Sequence, residues 1–244
     1  MQPKTYNIIR TISKYGLCSR KQAFEFVKNG KVRVNEKTVL DPGKKISPVD
    51  RISVNGKPLK EKRKRYILFH KPAGYVTTRQ DELGRPTVYE FLKNIDDWVF
   101  PVGRLDKDSE GLLILTNDTK FGNALTDPRY NIPRTYKVLI DGILSNDNLE
   151  DIRKGINIGR GEKTQPAKVK ILNHDKNRTL LEITITEGKN REVRRLFEHL
   201  NKPVKRLIRL SFGPFSLGHI KSGKYVEINK IPINDYPQEI RIYS

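Results

Sequence analysis

The chain has 244 residues, of which 36% are hydrophobic, so it is long and apolar enough to bury a core in one large domain or two modest ones. Every apolar run is shorter than the roughly 20 residues of a membrane-spanning helix, and the N-terminal residues do not have the pattern of a signal peptide. The single cysteine, Cys18, excludes an internal disulfide and a cysteine-based metal cluster, and we expect it to be a small buried residue.

The formal net charge of +20 predicts a polyanionic partner. Residues 1–65 contain 18 Lys and Arg against 5 Asp and Glu, so +13 of this charge lies in the first quarter of the chain. A uniformly basic, solvated surface does not explain such a concentration, whereas contacts with phosphates do. The composition therefore predicts a soluble, cytoplasmic protein that binds a nucleic acid and has no membrane segment.

The first part of the chain predicts two helices and a small sheet. Apolar residues at helical spacing over 8–15 indicate a first helix, and Ser19 with Gln22 forms a capping box that begins a second one. Short strands follow at 32–34 and 52–54, and an Asn-Gly turn after the latter indicates a hairpin. We therefore predict a first domain there.

Three segments follow from these patterns. The first domain covers residues 1–59, and a charged run without apolar periodicity indicates a basic linker at 60–65. Residues 66–244 form the second domain, with strands predicted at 66–69, 75–78, 98–102, 112–116, 134–138, 167–172, 179–186, 204–212 and 224–228. Helices are predicted at 87–93, 119–125 and 145–154, and a further helix opens in the stretch that begins at Glu187.

The loop of residues 103–111 is the strongest candidate for a site of chemistry. It carries five charged side chains between two apolar runs that have the length of buried strands. Rigid flanks make such a loop a good position for a catalytic group, although a solvated turn has the same pattern. Its carboxylates are Asp106, Asp108 and Glu110, and the strong positive charge favours RNA over a neutral sugar as the substrate.

This loop resembles the catalytic motif of the RsuA/RluB-type RNA pseudouridine synthases. That motif reads Gly-Arg-Leu-Asp, two variable residues, Thr or Ser, one variable residue and Gly-Leu-Leu, and every place is filled here, with Ser109 in the hydroxyl position. The resemblance implies that Asp106 is the catalytic carboxylate, acting either as a nucleophile or as a base. It also implies that Arg104 binds the RNA backbone or helps to extrude the target base.

A second motif lies at the start of a predicted strand. Residues 134–136 resemble the family's Lys/Arg-x-Tyr motif, which implies that Tyr136 is a second catalytic residue. A tyrosine can replace the stacking that a flipped uracil loses and can also move a proton. An ordinary strand tyrosine, half buried on the sheet, has the same local pattern.

A third motif lies at residues 187–195, which match the family's Glu-Gly-x-Asn-Arg-x-Val-Arg-Arg. The resemblance implies that Arg194 pairs with the catalytic aspartate. Helical spacing independently puts Arg194 at the edge of the apolar stripe, where a partly buried arginine needs a carboxylate. The same spacing puts Arg191 and Arg195 on the opposite face of the helix.

The first domain resembles the alpha-L RNA-binding motif, named for its occurrence in the fourth small-subunit ribosomal protein, over 16–23 and 30–35. The resemblance implies phosphate contacts at the start of the second helix from Ser19, Arg20 and Lys21, with Lys31 and Arg33 as further candidates. In the second domain the candidate RNA contacts are Lys71, Arg191, Arg195, Arg206 and Arg209, with plain solvation as the alternative for the last two. Either Leu207 or Ile208 is expected to pack against the target base.

The resemblance extends over residues 7–228 and implies an α+β fold: a small helical RNA-binding domain, then a mixed, mainly antiparallel sheet with flanking helices. It implies isomerisation of a specific uridine in ribosomal RNA, the large subunit being favoured over the small one, by a reaction that needs no cofactor and no metal. Because no segment marks a dimer interface, we expect a monomer. A synthase that acts on transfer RNA and a non-catalytic RNA-binding or ribosome-assembly factor are the alternatives. A DNA-binding regulator has less support, because no helix-turn-helix is recognisable.

Overall fold

The computed structural model describes residues 5–229, and these residues form two compact units. The first unit contains residues 5–65, 94–100 and 116–119, and the second contains 66–93, 101–115 and 120–229. Over residues 5–229, no helix has the length and the apolar composition to cross a membrane. The outer limits of the two predicted domains, residues 1–4 and 230–244, lie outside the described residues.

The first unit combines two helices with short strands. In chain order these are β1 (Tyr6–Asn7), α1 (Ile8–Lys14), α2 (Arg20–Lys28), β2 (Val32–Val34), β3 (Lys37–Thr38), β4 (Lys45–Ile46), β5 (Ile52–Val54) and β6 (Lys57–Pro58). The strands form a four-stranded antiparallel sheet in the order β3-β2-β5-β6 and a separate β1-β4 pair. Both predicted helices and the Asn55-Gly56 hairpin turn are confirmed.

Local sequence explains the start of α2 and the core beneath it. The Ser19 hydroxyl accepts a hydrogen bond from the Gln22 backbone N–H at 3.1 Å, and the Gln22 side chain accepts one from the Ser19 N–H at 3.0 Å. This capping box satisfies two N–H groups that the first turn of a helix leaves unpaired. The apolar faces of both helices bury a shared core with the strands, composed of Ile8, Ile12, Cys18, Ala23, Val27, Val32, Val34, Val39, Ile46 and Val54.

The basic run predicted as a linker makes specific contacts within the first unit. The Lys62 backbone N–H donates to the Tyr15 carbonyl at 3.1 Å. The side chains of Lys62 and Arg65 each place a nitrogen 3.3 Å from a carboxylate oxygen of Asp97. Residues 60–65 are therefore anchored at these points, which differs from the free linker that their composition suggested.

The remaining elements build a mixed sheet with helices beside it. They are β7 (Tyr66–Lys71), β8 (Phe100–Val102), β9 (Glu110–Thr116), α3 (Thr119–Thr126), β10 (Arg134–Asp141), α4 (Asn146–Lys154), β11 (Lys168–His174), β12 (Arg178–Ile185), α5 (Glu192–His199), β13 (Val204–Phe212), β14 (Phe215–Ser216) and β15 (Tyr225–Ile228). The strand order is β11-β12-β10-β13-β9-β7-β15, with β14 on β13 and β8 on β9. The β9–β13 pair is parallel, whereas β10–β12, β10–β13, β11–β12, β13–β14 and β7–β15 are antiparallel. The predicted α+β class is confirmed.

Two predicted elements differ from the structure. Residues 75–78 do not form a strand, because only Val76 makes a bridge, to Thr87. The helix expected to open in the stretch after Glu187 begins at Glu192, because Arg191 before it has a left-handed backbone with φ of 49°. A left-handed residue cannot belong to a right-handed helix, so the five residues before Glu192 form a loop.

The parallel pair β9–β13 fixes one end of the motif loop. Gly111 pairs with Arg209 there, and a Cβ atom built on Gly111 would lie 2.3 Å from the Arg209 carbonyl oxygen. Only glycine permits such a close backbone approach at a φ of +103°. The glycine of the motif's Gly-Leu-Leu segment is therefore explained by strand packing.

Candidate active site

A cleft of about 510 Å³ lies within the second unit, and the three predicted catalytic residues line it together. Asp106 comes from the loop between β8 and β9, Tyr136 from β10 and Arg194 from α5. These residues lie up to 88 positions apart in the chain. The sheet and α5 therefore assemble one site from three separate motifs.

A buried lysine fixes the loop that carries Asp106 by hydrogen bonds to backbone carbonyls. Lys71 at the end of β7 is fully buried, and its ammonium donates to the carbonyls of Ser109 at 2.7 Å, Pro72 at 3.0 Å and Lys107 at 3.2 Å. Burial lowers the pKa of Lys71 to about 8, while the carboxylate of Asp108 acts in the opposite direction. The expected RNA contact of Lys71 is not supported, because all its donors point into the protein.

A threonine hydroxyl fixes the other side of the same loop. The Thr77 Oγ1 donates to the Leu105 carbonyl at 2.7 Å and accepts from the Leu105 backbone N–H at 3.3 Å. The Gly74 backbone N–H donates to the Lys107 carbonyl at 2.8 Å. The backbone is thus fixed immediately before and after Asp106, which preorganises the position of its side chain.

The arginine closest to the Asp106 carboxylate is Arg191, not Arg194. An Nη1 atom of Arg191 lies 3.9 Å from an Oδ2 atom of Asp106, and the Asp106 side chain is 35% exposed to the cleft. Helical spacing predicted Arg191 on the face of α5 opposite the apolar stripe. That prediction fails because Arg191 precedes the helix and does not have helical backbone angles. Its left-handed backbone puts it ahead of the helix and turns its side chain towards the motif loop.

Arg194 instead supports the backbone of the motif loop. Its guanidinium donates to the Asp108 carbonyl at 2.9 Å and to the Val204 carbonyl at 3.3 Å. Burial lowers the pKa of Arg194, and Arg191 lowers it further, whereas the charges of Asp106 and Asp108 raise it. Arg194 therefore acts on Asp106 through its charge and through the loop, without a direct ion pair within 4.0 Å.

The expected RNA contact of Arg195 is wrong, because its side chain is buried. Its guanidinium donates to the carbonyls of Ile158 at 3.0 Å, Gly159 at 2.8 Å and Asn190 at 3.2 Å, and it forms an ion pair with Glu162. The loop that follows α4 covers this face of α5. A helical wheel identifies the face that points away from the sheet, but it cannot show which other segment packs there.

Strand alternation separates the two candidates for packing against the base. Leu207 and Arg209 on β13 line the cleft together with Tyr136, which pairs with Arg209 across β10 and β13. Ile208 points to the other face of the sheet and packs against the core that contains Leu112. Of the two candidates, Leu207 is therefore the one that this strand presents to the cleft.

Two further arginines form the cleft wall: Arg134, which the sequence did not single out, and Arg209, which the sequence suggested only as an RNA contact or a solvated side chain. The guanidinium carbons of Arg134 and Arg209 lie 4.6 Å and 5.0 Å from the ring centre of Phe212. Arg134 donates to the Glu187 carbonyl at 2.9 Å, Arg209 donates to the Leu112 carbonyl at 2.7 Å, and burial lowers the pKa of Arg134. Arg134 lies on the same face of β10 as Tyr136, and Arg209 lies on the same face of β13 as Leu207. The two-residue alternation of side chains along a strand could therefore have identified both arginines as cleft residues from the sequence.

A buried carboxyl group, Glu192, also lines the cleft and was not singled out from the sequence. It is 3% exposed, and its Oε2 accepts from the Lys189 backbone N–H at 2.9 Å. Its Oε1 has no hydrogen-bond partner among residues 5–229. Burial, reinforced by the neighbouring Glu187, raises the pKa of Glu192 to about 7. Glu187 itself pairs with the Lys189 ammonium.

The other RNA-contact candidates remain accessible. Arg20, Lys21, Lys31 and Arg33 of the first unit are exposed, whereas the Ser19 hydroxyl is engaged in the helix cap. In the second unit Arg104 is exposed, and Arg206 is exposed while making a two-pronged contact with Glu110 at 2.8 and 2.9 Å.

Comparison with known proteins agrees with this division of the chain. Residues 65–199 match the family model for RNA pseudouridylate synthase, and residues 9–52 match that for the S4 domain. A solved structure described as a pseudouridylate synthase superposes with a TM-score of 0.65 and 28% identity, covering 91% of this chain and 95% of that chain.

Curated relatives match nearly the whole length. The chain is 40% identical to ribosomal large subunit pseudouridine synthase B of Bacillus subtilis, over 90% of each protein. It is also 40% identical to an uncharacterised RNA pseudouridine synthase of Aquifex aeolicus, over 91% of this chain and 90% of that protein. The chain therefore belongs to the RNA pseudouridine synthase family, whose members are isomerases that convert uridine to pseudouridine in RNA, and it carries an S4 domain ahead of the synthase domain.

Proposed function

We propose that this protein isomerises one specific uridine of large-subunit ribosomal RNA, with Asp106 as the catalytic carboxylate. The observation that carries the proposal is the shared cleft of Asp106, Tyr136 and Arg194, three residues from separate motifs. The choice of the large subunit rests on the Bacillus subtilis relative, whose name states that substrate. The small subunit and transfer RNA are the competing substrates.

The reaction breaks the bond between N1 of uracil and C1′ of ribose, turns the base and joins C5 to C1′. The proton leaves C5 and N1 gains one, so the reaction is redox-neutral. Asp106 acts at the sugar, either by attacking C1′ or by removing a proton in an elimination, and both routes need the same carboxylate in the same place. The neighbouring guanidinium of Arg191 and the charge of Arg194 stabilise that carboxylate.

The remaining cleft residues bind the extruded base. Tyr136 offers an aromatic face that replaces the stacking lost when the uracil leaves its helix, and it can move a proton. Leu207 packs against the base from β13. Arg104 is exposed next to Asp106, where it binds the backbone or helps to extrude the uridine.

The two predicted domains divide binding and catalysis. Residues 1–59 form the RNA-binding domain, 60–65 connect it to the rest, and 66–244 form the catalytic domain. The exposed side chains that contact phosphates in the first domain are Arg20 and Lys21 at the positive end of α2, Lys31 just before β2 and Arg33 on β2. We expect the protein to act as a monomer in the cytoplasm, where ribosomal RNA is modified, and light scattering of the purified protein tests its oligomeric state.

Tritium release from RNA tests the proposal directly. Large- and small-subunit ribosomal RNA and transfer RNA, labelled at C5 of uridine, are incubated with wild type, Asp106→Asn and the matched control Asp108→Asn. We expect release from large-subunit RNA by wild type and Asp108→Asn, and a loss of about a thousandfold or more in Asp106→Asn. Mapping of the product then identifies the uridine.

The other outcomes are informative. Loss of release in Asp108→Asn with retained release in Asp106→Asn would move the catalytic role to Asp108. Release from transfer RNA alone would change the substrate. Tight RNA binding by the wild type without release from any of the three RNAs would favour the non-catalytic binding factor, a role for which the S4 domain would suffice.

A further inference from the structure

The loop of residues 79–85 presents an exposed leucine beside the active-site loop. Leu83 is 75% exposed, more than any other large apolar side chain in the described part of the second unit. A single exposed leucine is common on protein surfaces and by itself indicates nothing. The position and rigidity of this leucine are what distinguish it.

Asp81 holds the loop in one conformation. Its carboxylate accepts from the backbone N–H groups of Leu83 at 3.1 Å and Arg85 at 2.8 Å, and from the Arg85 guanidinium at 2.7 Å. The side chain of Asp81 is 6% exposed, and the hydrogen bonds from Arg85 lower its pKa to about 2. The carboxylate therefore fixes the loop at neutral pH, and Leu83 is held outward with little entropy left to lose on binding.

This loop forms one wall of a second cavity of about 640 Å³. Arg104, Leu105 and Asp106 line this cavity and also line the first cleft. Residues 104–106 therefore form a strip that separates two cavities. The base-binding cleft, which contains Tyr136, lies on one side of this strip, and the Leu83 loop lies on the other. Whatever occupies the second cavity lies next to the group on which catalysis depends.

The lining of the second cavity carries both signs of charge. Arg104 and Lys107 of the motif loop are exposed on it, Glu82 is exposed beside Leu83, and Arg85 is paired with Asp81. The cations Arg104 and Lys107 lie across the cavity lining from the apolar side chain of Leu83, an arrangement that matches a nucleic-acid helix, which offers phosphates outside and stacked bases inside.

We propose that residues 79–85 and the second cavity bind the double-stranded RNA that flanks the target uridine, and that Leu83 enters the base stack where the uracil has left it. The inference rests on the proposed function, because it assigns a partner to the other side of the Asp106 strip. A uridine within a stem must lose its pairing and stacking before it enters the cleft. An apolar side chain between base steps stabilises the opened stack.

The test compares a paired and an unpaired form of one substrate. The probe is a short RNA hairpin that carries the mapped uridine in its stem, with 2-aminopurine as the neighbouring base, and the same strand without its complement. Leu83→Ser removes the apolar side chain, and Leu83→Met keeps it. The matched control is Leu172→Ser on β11, the strand at one end of the sheet, where Leu172 is 38% exposed.

We expect Leu83→Ser to lower kcat/KM on the hairpin by about tenfold and on the single strand by less than about twofold, since one base-stacking contact is lost. Binding of the hairpin by the wild type should increase 2-aminopurine fluorescence, and this increase should be smaller in Leu83→Ser. The same difference should appear in an Asp106→Asn background, where no turnover occurs. Leu83→Met and Leu172→Ser should have the kcat/KM and the fluorescence change of the wild type on both RNAs.

Two results overturn the inference. An equal loss on hairpin and single strand would make Leu83 a general contact, and no loss on either would leave the second cavity without this role. Failure of the proposed function has a different signature, because the wild type itself would then release no tritium from any RNA, and the inference would fall with it.

Discussion

The basic residues predicted to bind RNA in the first unit and a buried group of basic residues in the second unit have opposite environments. In the first unit Arg20, Lys21, Lys31 and Arg33 are exposed. In the second unit Lys71, Arg195 and Arg209 are at most 9% exposed and donate to backbone carbonyls, although other cations of this unit remain exposed. The same residue types therefore face solvent in one group and shape the active site in the other.

This difference shows why charge alone does not identify an RNA-binding surface. Moving a cation from water into a protein interior costs on the order of several kcal/mol of hydration free energy. A buried cation is therefore found only where its N–H donors meet hydrogen-bond acceptors. Carbonyls of the motif loop and of the loop after α4 supply those acceptors here. A buried cation is thus a device for fixing loops, whereas an exposed one is available to phosphate.

The largest effect on stability should come from a pair of glycine substitutions, one in each unit. Gly111→Ala places a Cβ 2.3 Å from the Arg209 carbonyl at a φ of +103°, whereas Gly56→Ala meets nothing within 4 Å at a φ of +74°. We expect Gly111→Ala to lower the free energy of unfolding by about 4 kcal/mol or more and Gly56→Ala by about 1 kcal/mol. Urea denaturation measures both. Similar losses would mean that β9 and β13 can separate without difficulty.

Removal of a buried cation should affect both stability and turnover. Lys71→Met removes the ammonium that donates to the carbonyls of Pro72, Lys107 and Ser109, of which Lys107 keeps its hydrogen bond from the Gly74 N–H, and we expect a loss of about 2 kcal/mol. Because this ammonium fixes the Asp106 loop, kcat should fall while KM for RNA changes little. Lys21→Met on the exposed surface is the control, with a stability change below about 0.5 kcal/mol. Unchanged kcat in Lys71→Met would show that the hydrogen bonds from Thr77, Gly74 and Arg194 hold the loop without the ammonium.

Glu192 provides a pH-dependent test of burial. Its pKa of about 7 lies above the ordinary value of 4.5, so the folded state binds a proton more tightly than the unfolded state between these pH values. Stability should therefore fall as pH rises through this window and stay low above it. Glu192→Gln removes the charge that is buried above the window, and we expect it to stabilise the protein by about 2 kcal/mol at alkaline pH and by almost nothing below the window.

Thermal unfolding of wild type and Glu192→Gln across this pH range measures the difference. The groups that act on Glu192 are Glu187, which raises its pKa, and Lys189, which lowers it. The control is Glu187→Gln, which should shift the Glu192 transition to lower pH. A stability difference that does not depend on pH would contradict the buried, neutral carboxyl group.

The smallest effect on stability, and a clear one on binding, should come from Arg20→Ala and Lys21→Ala. Both side chains are exposed, so each should change the free energy of unfolding by less than about 0.5 kcal/mol. If each contacts one phosphate, RNA affinity should fall and the slope of log K against log salt should decrease by about 1 per residue. Filter binding at several salt concentrations checks this. Affinity that stays at the wild-type level would exclude the start of α2 from the RNA surface.

Local features of the fold were predictable from the sequence because they depend on neighbouring residues. The capping box at Ser19, the Asn55-Gly56 turn and the period-two strand β12 all involve groups within a few positions of one another. The family and the α+β class followed from motifs that are continuous in the chain, and both are confirmed.

Only the tertiary structure decided the environment of the charged residues. Arg191 reaches Asp106 because one residue before α5 is left-handed, and Arg195 is buried because a distant loop covers it. The sequence around Lys71 and Glu192 does not indicate that both side chains are buried. In the folded protein Lys71 donates to the distant Ser109 carbonyl, and burial raises the pKa of Glu192. Burial depends on segments that are remote in the chain, so a residue's charge can be read from the sequence, whereas its exposure, its partner and its pKa exist only in the folded protein.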